Sequence, residues 1–434
     1  MFPPRSAYLH LPFCQRRCFY CDFPVVPLGE RASGEPGAPG ANSIAAYLEL
    51  LTREIGLSPG GPPLSTVYFG GGTPSLLTPD QIGALIGALR RRFGLAPAAE
   101  ISLELDPASF DQHRLAGYLA VGVNRVSLGG QSFDDGVLAG LGRRHRGLDL
   151  ELAAGWLADA QARGRLLSWS LDLIQGLPLQ KGLPPLEKTA LDHWRGQLEQ
   201  ALALKPPHLS VYDLSIEPGT VFERRQSRGE LDLPDADLGA DLMELTGQLL
   251  ARAGYGHYEI SNYALPGHAA RHNRVYWSGA GWWGFGMGAT GAPWGERLAR
   301  PRTRQAYAAW LDQPGFPAGP ANGGMPLDER LMVGLRRREG VAMAALLAQQ
   351  GWRGAALERQ LGALQSRLAG PIAAGLLLLE GQRWRLRDPE GLALSNGVLV
   401  ELLEWWEELQ AAGGPQSSGA GLPRPGPGIP PKEG

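Results

Sequence analysis

Tyr8-Leu9-His10-Leu11-Pro12-Phe13-Cys14-Gln15-Arg16-Arg17-Cys18-Phe19-Tyr20-Cys21-Asp22-Phe23 contains every cysteine of the chain. Three thiolates spaced CxxxCxxC can fold around one soft metal centre. With no fourth cysteine, a cubane iron–sulfur cluster held there keeps one iron free of protein sulfur, and chemistry can occur at that open iron. Two plainer readings compete. The cysteines could be three unrelated small core residues, or ligands of a structural zinc that recruits His10 as its fourth. The tight spacing, with proline and aromatic residues interleaved, favours a metal or cluster over chance packing.

Working outward, Tyr8–Leu11 reads as a first strand that delivers the cysteine loop at its end. Residues 27–42 are rich in Gly, Pro and Ala without periodicity and predict a flexible surface segment. A helix follows over 43–57, with Ser43 as its cap and Ile44, Tyr47, Leu48 and Leu51 on its apolar face. Strand-like runs then recur at 65–69, 101–105, 125–129, 167–174 and 208–212, separated by helical stretches at 79–93, 112–121, 149–163 and 187–203. Repeated strand–helix units predict an α/β fold, a partial β/α barrel with helices outside and the functional rim at the strand C-termini. An amphipathic helix is expected over 234–253, and Gly279–Gly291 mixes glycine with Trp282, Trp283, Phe285 and Met287, a poor helix and a candidate binding surface. Helices at 304–312, 326–335, 340–350, 354–367 and 395–409, with a short strand at 382–386, make the chain mostly helical from about 303, a stretch that resembles a small C-terminal domain of a known family.

The expected division is therefore a barrel core over 1–230, its continuation over 231–302, the small domain over 303–412 and a disordered Gly/Pro tail over 413–434. At 434 residues and 44% hydrophobic content the chain can bury a large core without crosslinks. Its 43 acidic and 41 basic residues nearly cancel, so no overall field recommends nucleic acid as a partner. No stretch reaches the roughly 18 apolar residues of a membrane span, and the approach to Cys14 leaves no room for a signal peptide. Reduced thiols fit a cytoplasmic location, with peripheral membrane contact left open.

YxHxPFCxxxCxYCxF, at Tyr8 to Phe23, resembles the N-terminal signature of the radical S-adenosylmethionine proteins, in the branch holding the oxygen-independent coproporphyrinogen III dehydrogenases and the HemW-like haem chaperones. The resemblance implies a barrel open on one side and a [4Fe-4S] cluster on Cys14, Cys18 and Cys21, with S-adenosylmethionine chelating the fourth iron. It also implies an external electron donor and reductive cleavage of the sulfonium to a 5'-deoxyadenosyl radical.

The same resemblance assigns further residues. Gly71, Gly72 and Thr73, in a glycine loop that alone reads as a tight βα turn, would lie along the methionine part. Glu104, otherwise a solvated charge between Leu103 and Leu105, would hold ammonium or ribose hydroxyls. The family has Asn where this chain has Asp106, whose role is left open. Gln131 would be a polar contact and Arg143 the holder of the methionine carboxylate, with Arg144 as neighbouring competitor. Asp172 would meet the ribose or adenine side, and Tyr8 would pack by the sulfonium.

Phe23 stands where the dehydrogenases carry an additional cysteine, and 13 residues precede Cys14 where they have a longer segment. Both departures favour the chaperone branch, with dehydrogenase activity as the alternative. His272-Asn273-Arg274-Val275-Tyr276-Trp277 matches the HNxxYW motif associated with haem in that branch, making His272 a candidate haem contact; the plain alternative is a core histidine with packed aromatics. His257 and His268 are weaker candidates for that contact, with structural roles preferred, and Tyr258-Glu259-Ile260-Ser261-Asn262 is a shared motif without assigned tasks. The implied partners are haem and a haem-accepting protein near the membrane; the oligomeric state is not legible.

Overall fold

The computed structural model describes residues 3–177, 179–180, 190–313 and 324–412. The tail expected over 413–434 and the first residues of the helix expected over 187–203 lie outside them.

One sheet organises the chain: β1 (Ser6–Leu11), β2 (Leu64–Gly71), β3 (Leu95–Leu105), β4 (Arg125–Gln131), β5 (Ser168–Gln175), β6 (His208–Asp213), β7 (Gly256–Glu259), β8 (Asn262–Ala264) and β9 (Trp283–Phe285). Its order is β7-β8-β6-β5-β4-β3-β2-β1-β9. From β9 through β6 neighbouring strands are parallel, and the β8–β7 hairpin adds an antiparallel edge. The two end strands, β7 and β9, do not pair with each other, which leaves the barrel open as expected.

Parallel strands need crossovers, and helices supply them: α1 (Ala41–Leu57), α2 (Pro79–Phe93), α3 (Gln112–Ala120), α4 (Gly147–Ala162) and α5 (Ala190–Ala203). Thr78 starts α2 with a capping box to Gln81 and Pro79 in its first turn, and the Asp111 side chain accepts from the Arg114 amide at the start of α3. Along each strand one face is apolar and packs outward on the helices: Leu9, Val67, Phe69, Leu103, Val126, Leu128, Leu171 and Leu209 share one core with Ile44, Leu51, Ile82 and Leu85. The other face is polar and points inward. Glu104 pairs in register with Ser127, and Gly129 with Asp172, which pairs with Ser210.

Several local expectations differ from the structure. Residues 27–42 are fastened rather than loose: Leu28 and Gly29 amides donate to the Cys14 and Gln15 carbonyls, Gly34 donates to Leu76, and Ala32 is buried. Helix α1 starts at Ala41 behind Gly40, whose φ of 82° is a left-handed turn, so Ser43 lies inside the helix and accepts from Arg304 instead of capping. Gly279–Gly291 is not a binding surface. Its aromatics Trp282, Trp283 and Phe285 are buried, and β9 extends the sheet as an end strand beside β1. A Cβ at Gly284 would stand 2.5 Å from the Thr290 carbonyl oxygen, so glycine there serves close backbone approach.

Buried Glu54 on α1 ties this region down. It accepts from the Gly286 amide and the Tyr307 hydroxyl, each at 2.6 Å, and pairs with Arg300 at 2.8 Å. After α6 (Ala236–Arg252) and α7 (Arg271–Ser278), helix α8 (Arg304–Leu311) packs into this same core, which therefore continues past residue 303. A second core joins α9 (Leu327–Leu335), α10 (Met343–Gln349), α11 (Gly354–Arg367), the hairpin β10 (Leu377–Glu380) and β11 (Arg383–Leu386), and α12 (Ser395–Ala411). Met243 of α6 belongs to it and docks the small domain on the barrel. Among the described residues no helix is long and apolar enough to cross a membrane.

Candidate functional site

The C-terminal ends of the parallel strands open on a cavity of about 410 Å3. The cysteine loop forms one wall and the helical domain, through Val333, Arg336, Leu392 and Asn396, another. This is the face at which β/α barrels carry their sites.

Cys14, Cys18 and Cys21 all line the cavity and none is disulfide-bonded. The loop is held from several sides. Phe13–Cys14 pairs with Val26–Pro27, the Phe19 amide donates to the Leu141 carbonyl, and the Phe19 carbonyl accepts from the Phe222 amide. Burial pushes the Cys14 thiol up to about 12 and the Cys21 thiol up to about 11, so binding a metal group must expel their protons. The zinc alternative loses its fourth ligand. His10 is buried with Nδ1 3.0 Å from the Tyr8 hydroxyl and Nε2 3.2 Å from the Pro24 carbonyl oxygen, which commits both ring nitrogens.

The residues present fit an iron–sulfur group. A Cβ at Gly72 would stand 2.9 Å from the Cys14 sulfur and 2.6 Å from the Phe13 carbonyl oxygen, so the glycine loop can lie against the cysteine loop only without a side chain. A four-iron cube takes one thiolate on each of three irons, and the cysteine loop supplies three free thiols.

Gly71, Gly72 and Thr73 spend their amides internally, on Glu104 at 3.1 Å, Leu11 at 2.8 Å and Phe13 at 2.6 Å. An ammonium is itself a donor, so the acceptors this loop offers it are the carbonyl oxygens and the Thr73 hydroxyl. Glu104 also accepts from the Tyr68 hydroxyl at 3.0 Å; burial, with Asp172 adding to it, raises its carboxyl to about 7. The Asp172 carboxylate is held by Ser127 and Ser170 hydroxyls, both at 2.7 Å, and burial pushes its carboxyl up.

Gln131 is in the left-handed region at φ 61°, and its buried Oε1 has no hydrogen-bond partner among the described residues. A strained polar residue aimed into a cavity is a mark of a ligand site. Arg143 donates to Asp106 at 2.8 Å, to the Gly129 carbonyl at 2.9 Å and to the Cys18 sulfur at 3.7 Å. Asp106, at the position where Asn was expected, is thus the counter-ion of Arg143. Burial alone would raise its carboxyl, but Arg143 holds it at about 2. Arg144 also lines the cavity but is paired with Glu30 at 2.7 Å, whereas Arg143 is the arginine that reaches a cysteine sulfur.

Two expected residues do not line the cavity. Tyr8 stands behind Tyr68, their rings 6.1 Å apart, and Tyr68 is the ring that reaches the wall. His272 is fully buried, with Nδ1 2.7 Å from the Thr66 hydroxyl, Nε2 2.9 Å from the Tyr276 hydroxyl and its ring stacked on Tyr68. Burial lowers it to about 3, so it is neutral. The motif's Asn273, Tyr276 and Trp277 do line the cavity. So do Glu259, Ile260, Ser261 and Asn262, whose tasks the sequence left unassigned. His257 bonds to Asp388 at 2.7 Å and His268 to Ser168 at 3.1 Å, and neither is among the residues that line the cavity. The signal that could have found Tyr68, Ser127, Ser170 and Tyr212, the last also lining the cavity, is a polar residue at every second position of strands that are otherwise buried on both faces.

Residues 8–164 match the sequence profile of the Radical SAM superfamily. With the open barrel and the three-cysteine wall, this defines the chain as a radical SAM protein. It is 42% identical over 421 residues to the heme chaperone HemW of Synechocystis sp., covering 93% of this chain and 98% of that protein. To the heme chaperone HemW of Escherichia coli it is 38% identical over 305 residues, 70% of this chain and 74% of that one. The chain belongs to the HemW family. The structure of coproporphyrinogen III oxidase HemN from Escherichia coli superposes with a TM-score of 0.71 over 92% of this chain and 90% of that one; at 21% identity the likeness is one of fold.

Proposed function

We propose that this protein is a haem-binding chaperone that carries a [4Fe-4S] cluster on Cys14, Cys18 and Cys21, binds S-adenosylmethionine beside it and delivers haem to an acceptor haem protein. The observation that carries the reading is one continuous cavity lined at once by the three cysteines and by Asn273, Tyr276 and Trp277 of the HNxxYW motif. When bound, the cluster supplies single electrons, taken from an external donor, to the sulfonium of S-adenosylmethionine. The chain's own groups bind and orient. The Arg143 fork receives the methionine carboxylate, Glu104 and loop carbonyls receive the ammonium, Gln131 adds a polar contact, and Asp172, pre-aligned by two serines, receives hydroxyls. Tyr276 and Trp277 offer flat apolar area to a porphyrin face.

The test is anaerobic reconstitution in two arms, one given haem and one given coproporphyrinogen III, S-adenosylmethionine and a reductant. Haem that stays bound through gel filtration, passes to an apo haem protein and is accompanied by no vinyl product is the expected result. Repeated turnover to protoporphyrinogen IX overturns it in favour of the dehydrogenase.

A further inference from the structure

Among the described residues three arginines are almost completely buried: Arg125, Arg300 and Arg336. Two have carboxylates. Arg300 pairs with Glu54 at 2.8 Å and Arg125 lies 3.8 Å from Glu100. Arg336 has none among the described residues; its hydrogen-bond partner is the neutral Asn396 amide oxygen, at 3.2 Å. Burial pushes its guanidinium down from its ordinary range, with no neighbouring charge opposing the shift. A guanidinium removed from water without a counter-charge is costly, so such a group marks a place where a counter-charge arrives.

Its position says from where. Arg336 follows directly on α9 and lines the cavity on the wall of the helical domain, beside Val333, Leu392 and Asn396. A cation suits the carbonyl end of a helix, but it serves that role equally well from the surface, so the helix dipole accounts for the charge and not for the burial. Arg297, the other arginine on this side, is already paired with Glu329. Helix α9 also packs against α7, which brings Asn273, Tyr276 and Trp277 to the same cavity.

We propose that Arg336 is the anion seat of the cavity and receives a carboxylate of its guest, which on the haem reading above is a porphyrin propionate. An aromatic macrocycle against Tyr276 and Trp277 presents its carboxylates at its edge, where a planar fork of donors can take one bidentately. The second possible source of a carboxylate is S-adenosylmethionine, for which Arg143 already stands at the cysteine end.

The test rests on that reading and separates the two. Affinities for haem, haem dimethyl ester and S-adenosylmethionine are measured with cluster-reconstituted wild type and Arg336→Gln, and circular dichroism checks the fold. We expect Arg336→Gln to bind haem about tenfold more weakly, the size of one charge-assisted contact. The ester should bind wild type about tenfold more weakly than haem and bind the variant no worse than haem does. The ester arm uses unaltered protein, so a variant that misfolds does not block the answer. Equal haem affinity of wild type and variant, or equal affinity of wild type for haem and its ester, overturns the proposal and leaves the haem reading standing. Loss of S-adenosylmethionine affinity with haem affinity kept reassigns the carboxylate and overturns it too. A wild type that binds no porphyrin overturns the haem reading, and the propionate with it.

Discussion

The Asp106 carboxylate lies 2.8 Å from the Arg143 guanidinium, and Arg143 in turn reaches the Cys18 sulfur. An internal anion thus occupies the donor fork that the ligand carboxylate is expected to use. Asp106→Asn keeps an acceptor there and removes the competing charge. We predict tighter binding of S-adenosylmethionine, several-fold by calorimetry, and a ligand-free protein less stable by about 1–3 kcal/mol in denaturant unfolding. Because Asp106 is depressed to about 2 from its ordinary 3.8, its contribution to stability is complete above pH 4 and lost as the pH falls through about 2. The variant should therefore lose stability at neutral pH and show a flatter acid limb. An unchanged ligand affinity removes Asp106 from the binding account.

Glu104 makes the opposite case. Its folded carboxyl is raised to about 7 from 4.5, so it favours the folded state below about pH 4.5, and that contribution is lost as the pH rises through 7. A ligand ammonium needs the ionised form. We predict that S-adenosylmethionine affinity rises between pH 6 and 8 in the wild type and is flat and weaker in Glu104→Gln. A slope that persists in the variant assigns the titration to another group.

The fold and the cysteine end were legible because they rest on local signals. Residues such as Thr78 and Pro79, which open α2, and the alternation that places Leu103 and Leu105 behind Glu104 act within a few residues of themselves. What stayed hidden depends on partners far along the chain. The Asp106–Arg143 pair spans 37 positions, and His272 is fixed by Thr66, 206 positions away. The run around Trp283 reads as a surface because glycine conceals a strand; only β1 beside it turns those aromatics into core.

Glu54 supports the end of strand β9 from a position with no exposure, joining Arg300, Tyr307 and the Gly286 amide. Glu54→Ala removes the carboxylate 2.8 Å from the buried Arg300 guanidinium and the acceptor of the Tyr307 hydroxyl and the Gly286 amide. The expected loss is about 3–5 kcal/mol in reversible unfolding, with iron content unchanged in whatever protein remains folded. Glu54→Gln, which retains two acceptor sites, should lose less. A loss below about 1 kcal/mol for the alanine variant means that water reaches Arg300.

His272 is the residue on which sequence and geometry pull apart. The motif makes it a haem contact, yet its two ring nitrogens hold Thr66 and Tyr276, and it is the Tyr276 ring that reaches the cavity. A positioning role follows, with Tyr276 as the group it places. His272→Ala is predicted to weaken haem binding several-fold while the Soret band of the remaining complex keeps its wild-type position, since no iron ligand has changed. Tyr276→Phe, which breaks the same hydrogen bond from the other side, should reproduce part of the loss without adding to it in the double variant, as expected of two residues that act through one contact. A shifted Soret band in His272→Ala identifies the imidazole as an iron ligand; to reach iron it has to give up Thr66 or Tyr276. Cluster content is the control, since neither ring nitrogen of His272 bonds to the cysteine loop.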